Sequence, residues 1–186
     1  MIGKIKASVI ASFIILALIS IIFEIASLVT RILNLPSSLD LSLLLRVLGG
    51  VLIGVGVTLA LWLFKYRKPV TMLVSTYFTF RKMFTRTPIE EISGRVEPLI
   101  IRGPQKYLRH PLYLGAIIII FGYGFLSGST STFLATFIIL LWFRLVQIPF
   151  EEREMRALFG DQYVRYMHST PMLVPFSKLG KYKIRI

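Results

Sequence analysis

Residues 7–29 read Ala-Ser-Val-Ile-Ala-Ser-Phe-Ile-Ile-Leu-Ala-Leu-Ile-Ser-Ile-Ile-Phe-Glu-Ile-Ala-Ser-Leu-Val, with one charge, Glu24, in 23 positions. A helix of that length rises about 34 Å, enough to cross about 30 Å of hydrocarbon without tilting. Lys4 and Lys6 precede the run, as they would in a secretion leader. Its apolar core is too long for a leader, and no small-x-small cleavage site follows before Arg31. A retained membrane helix is expected.

Three further apolar stretches follow. Leu43–Phe64 carries only Arg46, close enough to its end to snorkel into the headgroups. Pro111–Leu126 and Thr132–Ile148 are shorter, and the uncharged Ser127-Gly-Ser-Thr-Ser131 between them predicts the tip of a tight helical hairpin. The expectation is an all-α, polytopic transmembrane protein of about four spans in a single membrane domain of 186 residues.

Charge sets the orientation. The chain holds 22 Lys and Arg against 9 Asp and Glu, yet is 55% hydrophobic with a mean hydropathy of +0.72. Such a basic soluble protein would suggest nucleic acid, but long uncharged runs argue against that partner. Residues 65–110 hold ten Lys and Arg with three Glu, and the chain after Ile148 adds seven more cations. The opposite loops hold only Asp40 and the flanking Arg31 and Arg46. Four spans therefore place both termini and the 65–110 loop in the cytoplasm, where the basic residues would meet anionic lipids of the inner leaflet. Three or five spans would break this pattern. A transporter is disfavoured, since no inverted repeat is evident. Cysteine is absent and only His110 and His168 occur, so no thiolate chemistry and no multi-histidine metal site is expected.

The chain divides into two N-terminal spans (1–64), a connector (65–98), a segment from 99 to 175 and a basic tail (176–186). Within the connector Val70, Leu73, Val74, Tyr77 and Phe84 share a helical face, which predicts an amphipathic helix on the inner leaflet, ended by Pro88. A polar connector, 89–102, follows. Gly50 and Gly54 have the spacing that lets membrane helices approach closely.

Chemistry concentrates after Arg102. His110 precedes Pro111, a residue suited to the first helical turn, so it sits at the N-terminal mouth of the third span, where free N–H groups favour an anion. Tyr113 shares its side of the helix, and Gly115 leaves room for a ligand to approach the backbone. At the end of the fourth span Arg144, Gln147 and Glu151 recur at helical spacing, Pro149 interrupts the helix, and Glu152 follows. Because the hairpin is tight, this cluster should return to His110. Ionisable groups converging at a membrane boundary suggest a functional site. Plainer roles exist for each: Arg109 and His110 as anchors for lipid phosphates, Tyr163 and Tyr166 as interfacial aromatics, Phe159–Gly160 as a helix C-cap, Glu154 as a solvated residue, and Glu24 as a partner for Arg46.

Arg109-His110-Pro111-x-Tyr113, a helical hairpin, Glu151–Glu152, then Phe159–Gly160 with Tyr163 and Tyr166, closely resembles the pattern of the isoprenylcysteine carboxyl methyltransferase and phospholipid methyltransferase superfamily, over residues 99–175. The resemblance implies a cytoplasmic pocket for S-adenosylmethionine, contacted by His110, Tyr113 and Gly115, with Glu151 or Glu152 binding its amino group and Tyr163, Tyr166 and His168 closing the adenosine side. It implies direct methyl transfer to a membrane lipid or prenylated acceptor entering from the bilayer, with isoprenylcysteine-type carboxyl methylation first, and phospholipid amine N-methylation or S-methylation as alternatives. In carboxyl methyltransferases of the family an Arg just before the Glu pair holds the acceptor carboxylate. Here that place is Gln147, with Arg144 nearly one turn earlier, so Arg144 substitutes or the acceptor is not a carboxylate. A non-catalytic membrane scaffold that keeps the fold is the reading from another class.

Overall fold

The structure, a computed structural model, describes residues 3–85 and 98–174. Pro88, residues 89–97 of the polar connector and the basic tail lie outside the described residues. Helix α1 spans Lys4–Ile32, α2 Leu43–Phe64, α3 Pro69–Thr85, α4 Pro111–Ser127, α5 Thr130–Trp142 and α6 Ile148–Ser169. Phe143–Gln147 forms a π-helical turn joining α5 to α6 without a break. Helices α1, α2 and the α5–α6 rod are long and apolar enough to cross a membrane, and α4 is a shorter apolar helix of the same kind. The molecule is an integral, multi-pass helical membrane protein.

Hydrogen bonds between turns fix which ends lie together. Leu39 N–H donates to Gly128 O at 2.7 Å and Thr130 N–H to Ser37 O at 3.2 Å. Arg46 Nη1 reaches Leu126 O at 3.0 Å, so Arg46 caps the neighbouring helix instead of pairing with Glu24, which is exposed on α1. The α1–α2 and α4–α5 turns thus share one end, as four alternating spans require. The hairpin is tight because Gly128 adopts φ +70°, which ends α4 at little steric cost, and the Ser129 hydroxyl accepts from Thr132 N–H to start α5.

Helix α2 packs on α4, α4 on α5, and α1 on α5 and α3. The α2–α4 contact is made backbone to backbone. A Cβ on Gly49 would lie 2.6 Å from Gly122 O, and one on Gly56 2.7 Å from Gly115 O. The predicted close-packing pair is therefore displaced: a Cβ at Gly50 or Gly54 would meet nothing within 4 Å. Glycine spacing reveals that a helix has a flat face but not which way it points.

Helix α3 forms as expected, but its faces are partly reversed. Met72, Ser75, Thr79 and Lys82 point inward, while Val70 and Phe84 are exposed. Val74 and Phe80 are buried as well and Arg81 is exposed, so the inward face of α3 mixes apolar side chains with polar ones that find partners inside. Thr79 donates to Glu154 Oε2 at 2.9 Å and Lys82 Nζ lies 3.0 Å from Glu154 Oε1. Glu154 is 1% exposed, not solvated, and ties α6 to α3.

Candidate active site

The second end of the bundle gathers the chemistry. Gly103–Lys106 forms a 3₁₀ turn, and Tyr166 donates to Gln105 O at 2.6 Å, holding that turn against α6. The 171–172 segment returns to accept from Arg109 N–H (2.9 Å, Pro171 O) and His110 N–H (3.2 Å, Met172 O). With their backbones fixed, the side chains of Arg109 and His110 both reach Glu152. Arg109 Nη2 lies 3.0 Å and His110 Nε2 3.2 Å from Glu152 Oε1. His110 Nδ1 is 3.7 Å from Glu151 Oε2, which accepts from Tyr113 OH at 2.9 Å. The rings of His110, Tyr113 and Phe143 form a stack, with centroids 5.5 Å and 4.5 Å apart.

The π-turn decides which residues of the fourth span face this cluster. Pro149 has no N–H, and its ring would clash with the carbonyl four residues back in a regular helix. The turn before it widens instead, so that Ile148 N–H bonds to Phe143 O, and the helix continues. The expected interruption at Pro149 is thus absorbed. One extra residue in the turn rotates the chain by about 100°. Gln147 is consequently buried at 3% exposure and Arg144 is exposed, away from the cluster. Gln147 and Glu151 face the same cavity, and Arg144 does not share that face.

Two other expected site residues lie elsewhere. Gly115 packs against Gly56 O of α2, so its missing side chain serves helix packing and not a ligand. His168 is exposed in the last turn of α6. Its position follows from Gly160, whose φ of +50° and ψ of −133° bend α6 in a conformation glycine tolerates best. That bend also directs Tyr163 and Tyr166 inward, at 2% and 4% exposure. Both lie in the polar stretch beyond the apolar spans, and burial pushes their phenols above the ordinary tyrosine range, so both stay protonated.

Two cavities meet at the cluster. A small polar pocket of about 30 Å³ is lined by Gln105, Met155, Tyr163, Tyr166 and the 98–100 segment. A larger cavity of about 380 Å³, walled mainly by apolar residues of α1, α3, α4 and α5, runs inward between the spans. Arg67, Arg109, His110 and Glu151 line both. At this junction several buried polar atoms lack a protein partner: Arg109 Nε and Nη1, Gln105 Oε1 and Gln147 Oε1. Buried groups of this kind usually have partners, so these mark where a polar ligand fits. Carboxylates beside a cation with unused N–H groups suit both charges of an amino-acid zwitterion. Arg67, Gln105, Thr79 and Lys82 escaped the sequence reading, because no local pattern signals that residues so far apart in the chain converge. The run of cations in 65–110 was the only hint.

A helical bundle in the bilayer, with paired carboxylates and a basic mouth between a polar pocket and an apolar cavity, defines the class. The chain belongs to the phospholipid methyltransferase family, whose model matches residues 44–162, more than half of its length. That match reaches back into α2, well before the motifs between 99 and 175. The chain is 30% identical over 121 residues to a methanethiol S-methyltransferase of Crocosphaera subtropica, covering 60% of this chain and 44% of that protein. It is 32% identical over 78 residues to protein-S-isoprenylcysteine O-methyltransferase B of Arabidopsis thaliana, with 42% and 40% covered. To the protein-S-isoprenylcysteine O-methyltransferase of Schizosaccharomyces pombe it is 37% identical over 79 residues, with 41% and 33% covered. The chain thus spans less than half of the length of these relatives. No solved structure matches significantly.

Proposed function

We propose that this chain is an S-adenosylmethionine-dependent methyltransferase acting on an apolar, chain-bearing acceptor at the cytoplasmic face of the membrane. The observation that carries this reading is the junction itself, where Arg67, Arg109, His110 and Glu151 line both the polar pocket and the apolar cavity. The cofactor would supply an electrophilic methyl group on a positively charged sulfur. Glu151 would hold its ammonium group, and Arg109, with unused buried N–H groups, together with His110 at the α4 N-terminus, would hold its carboxylate. Glu152 serves by orienting Arg109 and His110. Tyr163 and Tyr166 build the wall for the nucleoside. The protein's task is then to align the two reactants and exclude water. Cytoplasmic sidedness is supported by the cations in 65–110 and after Ile148, which would also contact anionic lipids.

For the acceptor, carboxyl methylation of an isoprenylcysteine-type compound is the leading reading. Its support is a volume of about 380 Å³, the size of pockets for large ligands, and cationic Arg67 and Arg109 at the mouth. A carboxylate carries no proton to remove. Thiol or amine methylation is favoured instead by the inward Gln147, whose unused Oε1 accepts a hydrogen bond, and by the outward Arg144. There Glu151 would take the released proton. Purified protein given methyl-labelled S-adenosylmethionine and native membrane lipid decides between them. Label in the organic phase that mild base releases as methanol is expected. Base-stable label would replace the ester reading with N- or S-methylation, and no incorporation alongside no cofactor binding would leave a scaffold.

A further inference from the structure

The apolar cavity has a floor. Along α4 its wall runs from Pro111 to Ile120, and along α1 from Ile15 to Ile22, so it extends about 10–14 Å along the spans. It goes no deeper because α1 and α5 close on each other in the far half of the bundle. Ala26 on α1 and Ala135 on α5 are both fully buried, and small residues let two helices meet with no space between them. Nearer the mouth the wall is built from bulkier residues, among them Trp142 and Phe143, and the helices stand apart. Ile22, Ile120 and Ile139 are the deepest lining residues of the three helices, and Ile139 is 3% exposed. The chamber is also bordered by a seam. Helix α1 packs on α3 and α5, while its sequence neighbour α2 packs on α4, and the cavity takes residues from both pairs.

We infer that Ile22, Ile120 and Ile139 form a ruler that fixes how long an apolar chain the enzyme accepts. This rests on the reading of the cavity as the acceptor chamber. The acceptor would lie along the spans, with its reactive head between Gln147 and Glu151 and its tail against the three isoleucines. Physical chemistry makes the floor act by rejection. A tail in the bilayer is already in an apolar medium, so entering the chamber gains it little. A tail that overruns the floor must buckle or push the packed helices apart, which costs it about tenfold or more in affinity per excess methylene.

The test uses the full-length protein in detergent and a homologous series of single-chain alkyl carboxylates and alkyl thiols. Binding is read from competition with a fluorescent fatty acid, and methyl transfer is measured separately. Native protein should show affinity that changes little with chain length and then falls by about tenfold or more past a cut-off. Ile120→Ala should move that cut-off to longer chains and Ile22→Phe to shorter ones, in both head classes. The same cut-off in all three folded proteins would overturn the ruler. A variant that fails to fold leaves the other to decide, since the two are predicted to shift it in opposite directions. A length cut-off that moves as predicted, in a protein that transfers no methyl group, would keep the ruler and discard the methyltransferase reading.

Discussion

Glu152 is buried against two potential cations, Arg109 and His110, while Glu151 holds Tyr113 and faces both cavities. The division assigns the two adjacent carboxylates different duties. Removing His110 takes away a group at the anion-holding mouth of α4, and loss of one charge-assisted hydrogen bond costs about 1.5–3 kcal/mol. His110→Ala should therefore weaken S-adenosylmethionine binding about ten- to hundredfold by calorimetry. Tyr113→Phe keeps the ring stack and loses only the hydroxyl, so its loss should be tenfold or smaller. Equal affinity in native protein and His110→Ala would remove His110 from the site. At this scale the pairing of His110 with the Glu pair was legible in the sequence, because one short motif holds the first and a tight hairpin returns the second. The inward place of Gln147 beside Glu151 was legible from their spacing, but the outward turn of Arg144 was not. It depends on a single widened helical turn that Pro149 favours but whose phase no periodicity reveals. Gly115 and His168 were misplaced for the same reason: a residue's neighbours in sequence do not state which face of the helix meets them.

Among the helices, the tie between α3 and α6 stands out, since the apolar wall of the cavity depends on α3. Glu154 and Lys82 are 1% and 5% exposed and 3.0 Å apart. Breaking a buried pair by removing one member leaves an uncompensated charge and costs about 3–5 kcal/mol. Lys82→Met should lower the unfolding midpoint sharply, while Lys82→Met with Glu154→Gln should recover most of the loss, as measured by thermal unfolding in detergent. Equal midpoints for Lys82→Met and native protein would mean that the pair is not formed. The α2–α4 contact gives a second contrast. Gly122→Ala places a Cβ 2.7 Å from Gly49 O, and such overpacking costs about 1–3 kcal/mol. Gly50→Ala meets nothing and should be neutral or stabilising by about 0.5–1 kcal/mol. The reverse order in thermal unfolding would put the packing face back on Gly50 and Gly54. The existence and extent of the helices could be read from runs of apolar residues. Their rotation could not, because a helix surrounded by lipid is apolar all round and shows no inward stripe.

For the molecule as a whole, charge asymmetry and two turns joined by hydrogen bonds describe the same four-span topology. The chain has no cysteine, so single introduced thiols report sidedness directly. In intact cells Ser38→Cys should react with an impermeant maleimide and Ser169→Cys only after permeabilisation. The opposite pattern would invert the protein. Four spans and the concentration of cations toward one end of the bundle were legible because hydrophobic length and charge placement are properties of the sequence alone. The apolar cavity was not, since it exists only where α1 and α5 part. We propose that a methyl group passes to a membrane-borne acceptor at the junction of the two cavities. The most direct test compares native protein with Glu151→Gln for transfer of label from methyl-labelled S-adenosylmethionine into the organic phase of native membranes. Transfer by native protein and its near-complete loss in a folded Glu151→Gln variant is the predicted result. Undiminished transfer by Glu151→Gln would contradict the claim.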